Sequence, residues 1–196
     1  MKHPINLIAL AAGILTIVLI TVSFFVPWWK FTIGTGAPSI AAVNFSPTNF
    51  NFALFGNDLT IPLIWALNLA SLLTLLSGGL VMVVYAMLPT KQYSKKLLGF
   101  AYKKPLYAVI LFVIEIVALS LLVRSIAGLS FPMLGATTMQ LPANMAPNGV
   151  SIGVSVSAAF EWPFYLSIAT AALCIVARVY HRKIVANAVP PLATQI

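Results

Sequence analysis

Ile61-Pro62-Leu63-Ile64-Trp65-Ala66-Leu67-Asn68-Leu69-Ala70-Ser71-Leu72-Leu73-Thr74-Leu75-Leu76-Ser77-Gly78-Gly79-Leu80-Val81-Met82-Val83-Val84-Tyr85-Ala86-Met87-Leu88 contains no charged side chain. As a helix rising about 1.5 Å per residue, it is long enough to cross about 30 Å of hydrocarbon. Three further runs share the character: Ile5–Val26, Leu106–Ala127 and Trp162–Tyr180. Only 7% of the 196 residues are charged and 61% are hydrophobic, whereas a soluble domain carries roughly a quarter charged residues. Lipid, not water, is the solvent this surface requires. The expected fold is an all-α transmembrane four-helix bundle. The opening run is too long for a signal peptide and lacks a clear small-residue cleavage site before Pro27, so it reads as a retained helix.

The basic residues set the expected orientation. Lys2, Lys91, Lys95, Lys96, Lys103, Lys104, Arg178, Arg182 and Lys183 flank one end of the runs, and only Lys30 and Arg124 fall toward the other. The positive-inside rule then puts both termini and the loop 89–105 in the cytoplasm of a multi-pass cell-membrane protein. The tail 185–196 reads as flexible. The net charge of +8 follows from this placement and from contact with anionic headgroups, so nucleic acid is not an expected partner.

The two remaining segments, 28–60 and 128–161, are expected outside the cell. Trp29-Lys30-Phe31-Thr32-Ile33 alternates with period two. So does Asn49-Phe50-Asn51-Phe52-Ala53-Leu54-Phe55, whose phenylalanines would share one face. Val150-Ser151-Ile152-Gly153-Val154-Ser155-Val156-Ser157 carries the cleanest strand pattern. Together they predict a small extracellular antiparallel sheet, built from both loops, with its apolar face on the helix ends. Between Phe31 and Phe160 these segments hold one charged residue, Asp58. A surface without carboxylates has little to titrate in acid, which suggests an acidic medium or a dense glycan layer. Asn44-Phe45-Ser46 is a glycosylation sequon, although Pro47 follows it.

Glu115 is the residue of most chemical interest. It stands in Val113-Ile114-Glu115-Ile116-Val117, where a carboxylate costs a few kcal/mol on insertion scales and faces the bundle interior. Counting from helix centres puts it level with Thr16, Thr74 and Cys174. It reads either as packing glue between helices or as a functional acid: a proton relay, an ion step or a quinone contact. Arg124 lies on nearly the opposite face of that run and is placed to bridge Glu161, or else to snorkel to headgroups. Asn68 can join either arrangement. Trp28, Trp29 and Trp162, with Tyr107 and Tyr180, read as interfacial belts. His3 and His181 are terminal and read as solvent-exposed. Cys174 is the only cysteine, so no intrachain disulfide forms, and the residues offer no metal cluster, cofactor site or nucleophile–base pair. An enzyme is not expected.

Pro27-Trp28-Trp29-Lys30-Phe31-Thr32, directly after the first helix, resembles the proline–any–tryptophan–basic pattern of claudins at the same place. Phe52-Ala53-Leu54-Phe55 resembles the glycine–leucine–tryptophan part of the claudin first-loop signature, with phenylalanine replacing tryptophan. Such claudin-like tetraspan proteins have four helices, cytoplasmic ends and one extracellular sheet whose last strand leads into helix four. The loop disulfide of that signature is missing here. The resemblance implies a structural or interaction role, with Trp28, Trp29, Lys30, Phe50, Phe52 and Phe55 at the sheet or its interfaces and Trp29 wedged beneath it. The expected partners are the bilayer and either a second copy or another membrane or surface protein. The alternatives are an accessory subunit of a membrane redox or transport complex, or a small channel or carrier.

Overall fold

A computed structural model describes residues 5–34, 41–48, 50–54, 57–59, 61–127, 132–141 and 152–188. Along the chain these form α1 (Leu7–Ser23), β1 (Trp29–Ile33), β2 (Ala41–Phe45), β3 (Phe50–Leu54), β4 (Asn57–Leu59), α2 (Pro62–Met87), α3 (Ser94–Ala101), α4 (Lys104–Ala127), β5 (Gly135–Leu141), β6 (Ile152–Phe160) and α5 (Trp162–Ala188). Among the described residues three helical runs are long and apolar enough to cross a membrane: Pro62–Met87, Ser94–Leu121 and Trp162–His181. α1 is apolar but shorter, at 17 residues.

The helix ends follow from local chemistry. Asn6 caps α1, its Oδ1 accepting the Ala9 N–H at 3.1 Å. At the other end the Ser23 carbonyl accepts the Ser46 hydroxyl at 2.9 Å. The chain then leaves the helix through a turn in which the Phe25 and Val26 N–H groups both donate to Val22 O. Pro62 opens α2, and Pro105 and Pro163 sit in the first turns of α4 and α5, where a missing N–H costs nothing.

The chain divides into two units. One is helical and is drawn from 1–21, 72–109 and 166–196. Its core holds Ala9, Ala12, Met82, Tyr85, Ala86, Leu98, Ala101, Cys174 and Ala177. Small residues permit the close approach of α1 and α2: a Cβ on Gly13 would lie 3.0 Å from the Val83 main-chain nitrogen and 3.1 Å from Gly79 O. The expected loop 89–105 is partly helical. In α3, Ser94, Leu98 and Ala101 are buried while Lys95 and Lys96 face outward, the spacing of one amphipathic stripe.

The other unit spans 22–71 and 110–165 and contains the sheet. This is an antiparallel six-stranded sheet in the order β4-β3-β2-β1-β6-β5. The expected antiparallel sheet from both loop segments is therefore present, joined where β1 pairs β6. β1 and β3 fall where the alternation indicated, and β6 runs on to Phe160. Register explains the burial. Trp29 stands opposite Phe45 on one side and Phe160 on the other, and Phe31 opposite Val43 and Ala158. Trp29, Phe31, Val43, Phe45, Val154, Val156 and Ala158 are buried. The intervening Lys30, Ser157 and Ala159 are exposed. Gly34 ends β1 with φ 101°, a conformation that L side chains disfavour, while its N–H donates to Ser155 O at 2.8 Å.

Candidate functional site

Trp28 organises the base of the sheet. Its N–H donates to Phe45 O at 2.9 Å, and its carbonyl accepts the Glu161 N–H at 2.9 Å, so its main chain bridges β2 and the start of α5. Its fully buried ring meets Phe112 at 5.0 Å and Phe164 at 6.4 Å, both edge-on. Phe112 also stacks on Phe45 at 5.2 Å. Trp29 is equally buried and donates its indole N–H to Met133 O at 2.9 Å. Neither tryptophan is exposed in the way expected of a belt residue. Both rings lie in the apolar interior of the sheet unit with their one polar atom satisfied. Trp162 is exposed, as a belt residue would be.

Glu115 lies one turn along α4 from Phe112 on the same buried face, at 1% exposure. α2 and α4 run antiparallel: Leu75 and Ala108 share one buried cluster, and a Cβ on Gly78 would lie 2.6 Å from Lys104 Cβ. Each helix continues unbroken. Asn68 and Ser71 stand on α2 and Glu115 on α4, all within the sheet unit. Asn68 is 6% exposed and Ser71 0%. Both Glu115 carboxyl oxygens, Asn68 Oδ1 and Ser71 Oγ are buried without a hydrogen-bond partner.

No protein-family model matches the chain, and no curated protein sequence matches it.

Thr16, Thr74 and Cys174, expected level with Glu115, belong to the helical unit, and Glu115 to the sheet unit. Thr16 packs on Gly79, whose added Cβ would lie 3.2 Å from Thr16 Cβ. The unpartnered burial of Ser71 was not legible, because one hydroxyl in a leucine-rich helix also reads as a side chain bonded to its own helix backbone.

Arg124 is exposed, and among the described residues it makes no ion pair with Glu161. Glu161 instead precedes α5, where its carbonyl accepts the Phe164 N–H at 3.0 Å and its carboxylate complements the helix dipole. Lys30 is exposed on β1 opposite Asn44. Asn44 is half-buried in β2, and the hydroxyl of its sequon, Ser46, is fully buried. Phe50 and Phe52 occupy register positions opposite Phe45 and Val43. Phe55 and His3 lie outside the described residues.

A second polar group, missed in the sequence, sits in the helical unit. Asn6 Nδ2 donates to the Tyr85 hydroxyl at 3.0 Å, and that hydroxyl lies 2.8 Å from His181 Nδ1. His181 is half-buried, not solvent-exposed as a terminal histidine suggests, because its ring packs edge-on against Tyr85. The Arg178 guanidinium lies over the Tyr102 ring at 5.5 Å. All Asp and Glu side chains of the chain, Asp58, Glu115 and Glu161, belong to the sheet unit by position. The helical unit therefore holds its lysines and arginines with no carboxylate side chain of its own.

Proposed function

We propose that this chain is a multi-pass membrane protein that presents its sheet outside the cell for self-association. Four helices cross the bilayer, the lysine-rich segment and both ends lie in the cytoplasm, and the architecture is that of a claudin-like tetraspan without the loop disulfide. The cations of the helical unit favour this orientation, since anionic headgroups supply the counter-charge the unit lacks.

The observation that carries the role is the terminal position of β5 in the sheet. Gly135-Ala136-Thr137-Thr138-Met139-Gln140-Leu141 is a seven-residue edge strand without charge or proline. Natural edge strands are normally guarded by lysine, proline or a bulge. An unguarded one is a template for adding a strand. A second copy fits it: antiparallel pairing about Thr138 sets Thr137 against Met139 and Ala136 against Gln140, with no like charges across the two-fold axis.

Cysteine in place of Thr138 tests this, in membranes, by oxidative crosslinking. A disulfide-linked dimer is expected, together with labelling of that cysteine from outside intact cells. Cysteine at Lys95 is expected to label only after permeabilisation. A monomer by native mass measurement, with no crosslink, overturns self-association. Co-purification with a cofactor-bearing subunit supports the accessory-subunit role instead. Labelling of position 95 from outside overturns the topology.

A further inference from the structure

We propose that Arg178, His181 and Lys95 form a binding site for a phosphate group, with the headgroup of an anionic phospholipid as its occupant. The site lies wholly within the helical unit, and it rests on the proposed membrane reading, which it deepens. The Tyr85 hydroxyl joins Asn6 Nδ2 to His181 Nδ1, at 3.0 Å and 2.8 Å, and its ring packs edge-on against the His181 ring with centroids 5.6 Å apart. Arg178 is close enough for its charge to act on both Tyr85 and His181, and Lys95 for its charge to act on His181 as well. Arg178 and Lys103 lie over one ring, that of Tyr102, at 5.5 Å and 5.6 Å.

The donor set selects the ligand. Asn6 Oδ1 accepts the Ala9 N–H, so the amide nitrogen of Asn6 is the atom that faces Tyr85, and the phenolic oxygen accepts from it. The one phenolic proton is then left for His181 Nδ1. A neutral His181 therefore carries its own proton on Nε2, and among the described residues no protein acceptor takes it. Arg178 is a half-buried guanidinium in a unit with no Asp or Glu. An imidazole N–H, a guanidinium and an ammonium offer donors and no acceptor, and a charge partly removed from water calls for a counter-charge. Phosphate oxygens meet both demands, and a guanidinium takes them in pairs.

Position selects a lipid over a free anion. Arg178 and His181 close the apolar run Trp162–His181, and Tyr85 lies near the end of Pro62–Met87, so the donors stand where hydrocarbon gives way to headgroups. Ile175 and Val179 on α5 are 41% and 70% exposed. Residues three or four apart are neighbours on a helix surface, and Ile175 stands three residues before Arg178. Exposed apolar side chains therefore adjoin the guanidinium. A ligand that covers both carries a phosphate and an acyl chain in one molecule.

The full chain in neutral detergent provides the test, by thermal unfolding at fixed ionic strength with added phosphatidylglycerol, phosphatidylcholine or inorganic phosphate. A ligand bound only to the folded state raises the midpoint with its concentration. Phosphatidylglycerol is expected to do so and to saturate, while the other two require concentrations about tenfold higher or more. Arg178→Gln is expected to raise the half-saturating phosphatidylglycerol concentration about tenfold, one lost charged hydrogen-bond donor. Lys183→Gln removes the same charge from the same helix outside the site and is expected to leave that concentration unchanged. If Arg178→Gln does not fold, Lys95→Gln, at an exposed position, is read in the same way. Equal responses to the two lipids, or equal losses in Lys183→Gln and Arg178→Gln, overturn the proposal. A response to inorganic phosphate matching that to phosphatidylglycerol supports the phosphate site and assigns it to a free anion. No response to phosphatidylglycerol, with cysteine at position 95 labelled only after permeabilisation, overturns the site and leaves the topology standing. A specific response with position 95 labelled from outside supports the site and overturns the topology.

Discussion

The indole N–H of Trp28 donates to the Ser23 hydroxyl at 2.7 Å, so the last residue of α1 is tied directly to the residue that precedes β1. The turn at 24–26 and the imide of Pro27 lie between them, and the bond sets the angle at which the chain enters the sheet. Both partners are buried, so neither has water as a substitute.

Ser23→Ala leaves the indole N–H of Trp28 without an acceptor in an apolar surround. A buried unpaired donor costs about 1–3 kcal/mol, and the midpoint of thermal unfolding in detergent is expected to fall accordingly. Trp28→Phe removes the donor and part of the ring. The double variant is expected to lose less than the sum of the two, because residues sharing one bond are not additive. Strict additivity would show that the bond contributes nothing.

Gly13 and Gly99 are both helical glycines with opposite expectations. A Cβ at Gly13 meets Val83 Cγ2 at 2.7 Å and main-chain atoms of Val83 and Gly79 close behind. The side chain of Val83 can rotate, but the main-chain atoms cannot yield without separating α1 from α2. Gly13→Ala is expected to cost about 1–3 kcal/mol. At Gly99 in α3 nothing lies within 4 Å of an added Cβ. Gly99→Ala is expected to stabilise by about 0.5–1 kcal/mol through backbone entropy alone. Unfolding midpoints of the two variants, measured side by side, check both signs.

Tyr85→Phe removes the hydroxyl that joins Asn6 to His181 and keeps the ring. The Asn6 cap on Ala9 survives, but its amide nitrogen loses its acceptor. The start of α1 is expected to fray, with faster amide hydrogen exchange at Leu7–Leu10 and little change in β1 and β6. Unaltered exchange at those amides would show that the backbone bond from Asn6 N–H to Ala86 O is sufficient to hold the helix start.

Long uncharged runs and the period-two alternation of Trp29–Ile33 were readable because each reports a one-dimensional pattern: solvent preference over a helix length, or alternate burial along one strand. β2, β4 and β5 were not readable, since Ala41–Phe45 and Gly135–Leu141 alternate weakly and acquire their strand conformation from the neighbours they pair with. α3 was hidden by its lysines, whose spacing around Leu98 and Ala101 makes sense only once a core exists beneath it.

By itself the sequence determined that hydrocarbon-compatible helices and a charge-poor antiparallel sheet would form, and that Glu115 would be buried, because helix length, side-chain period and the cost of solvating apolar surface are local properties. The tertiary structure alone decided which residues meet. It buried Trp28 and Trp29 in the sheet unit, left Arg124 exposed and not ion-paired to Glu161 among the described residues, and buried Asn68, Ser71 and Glu115 with side-chain oxygens unpartnered, because which side chains meet depends on where each helix starts and on the small residues, such as Gly78, that let helices approach.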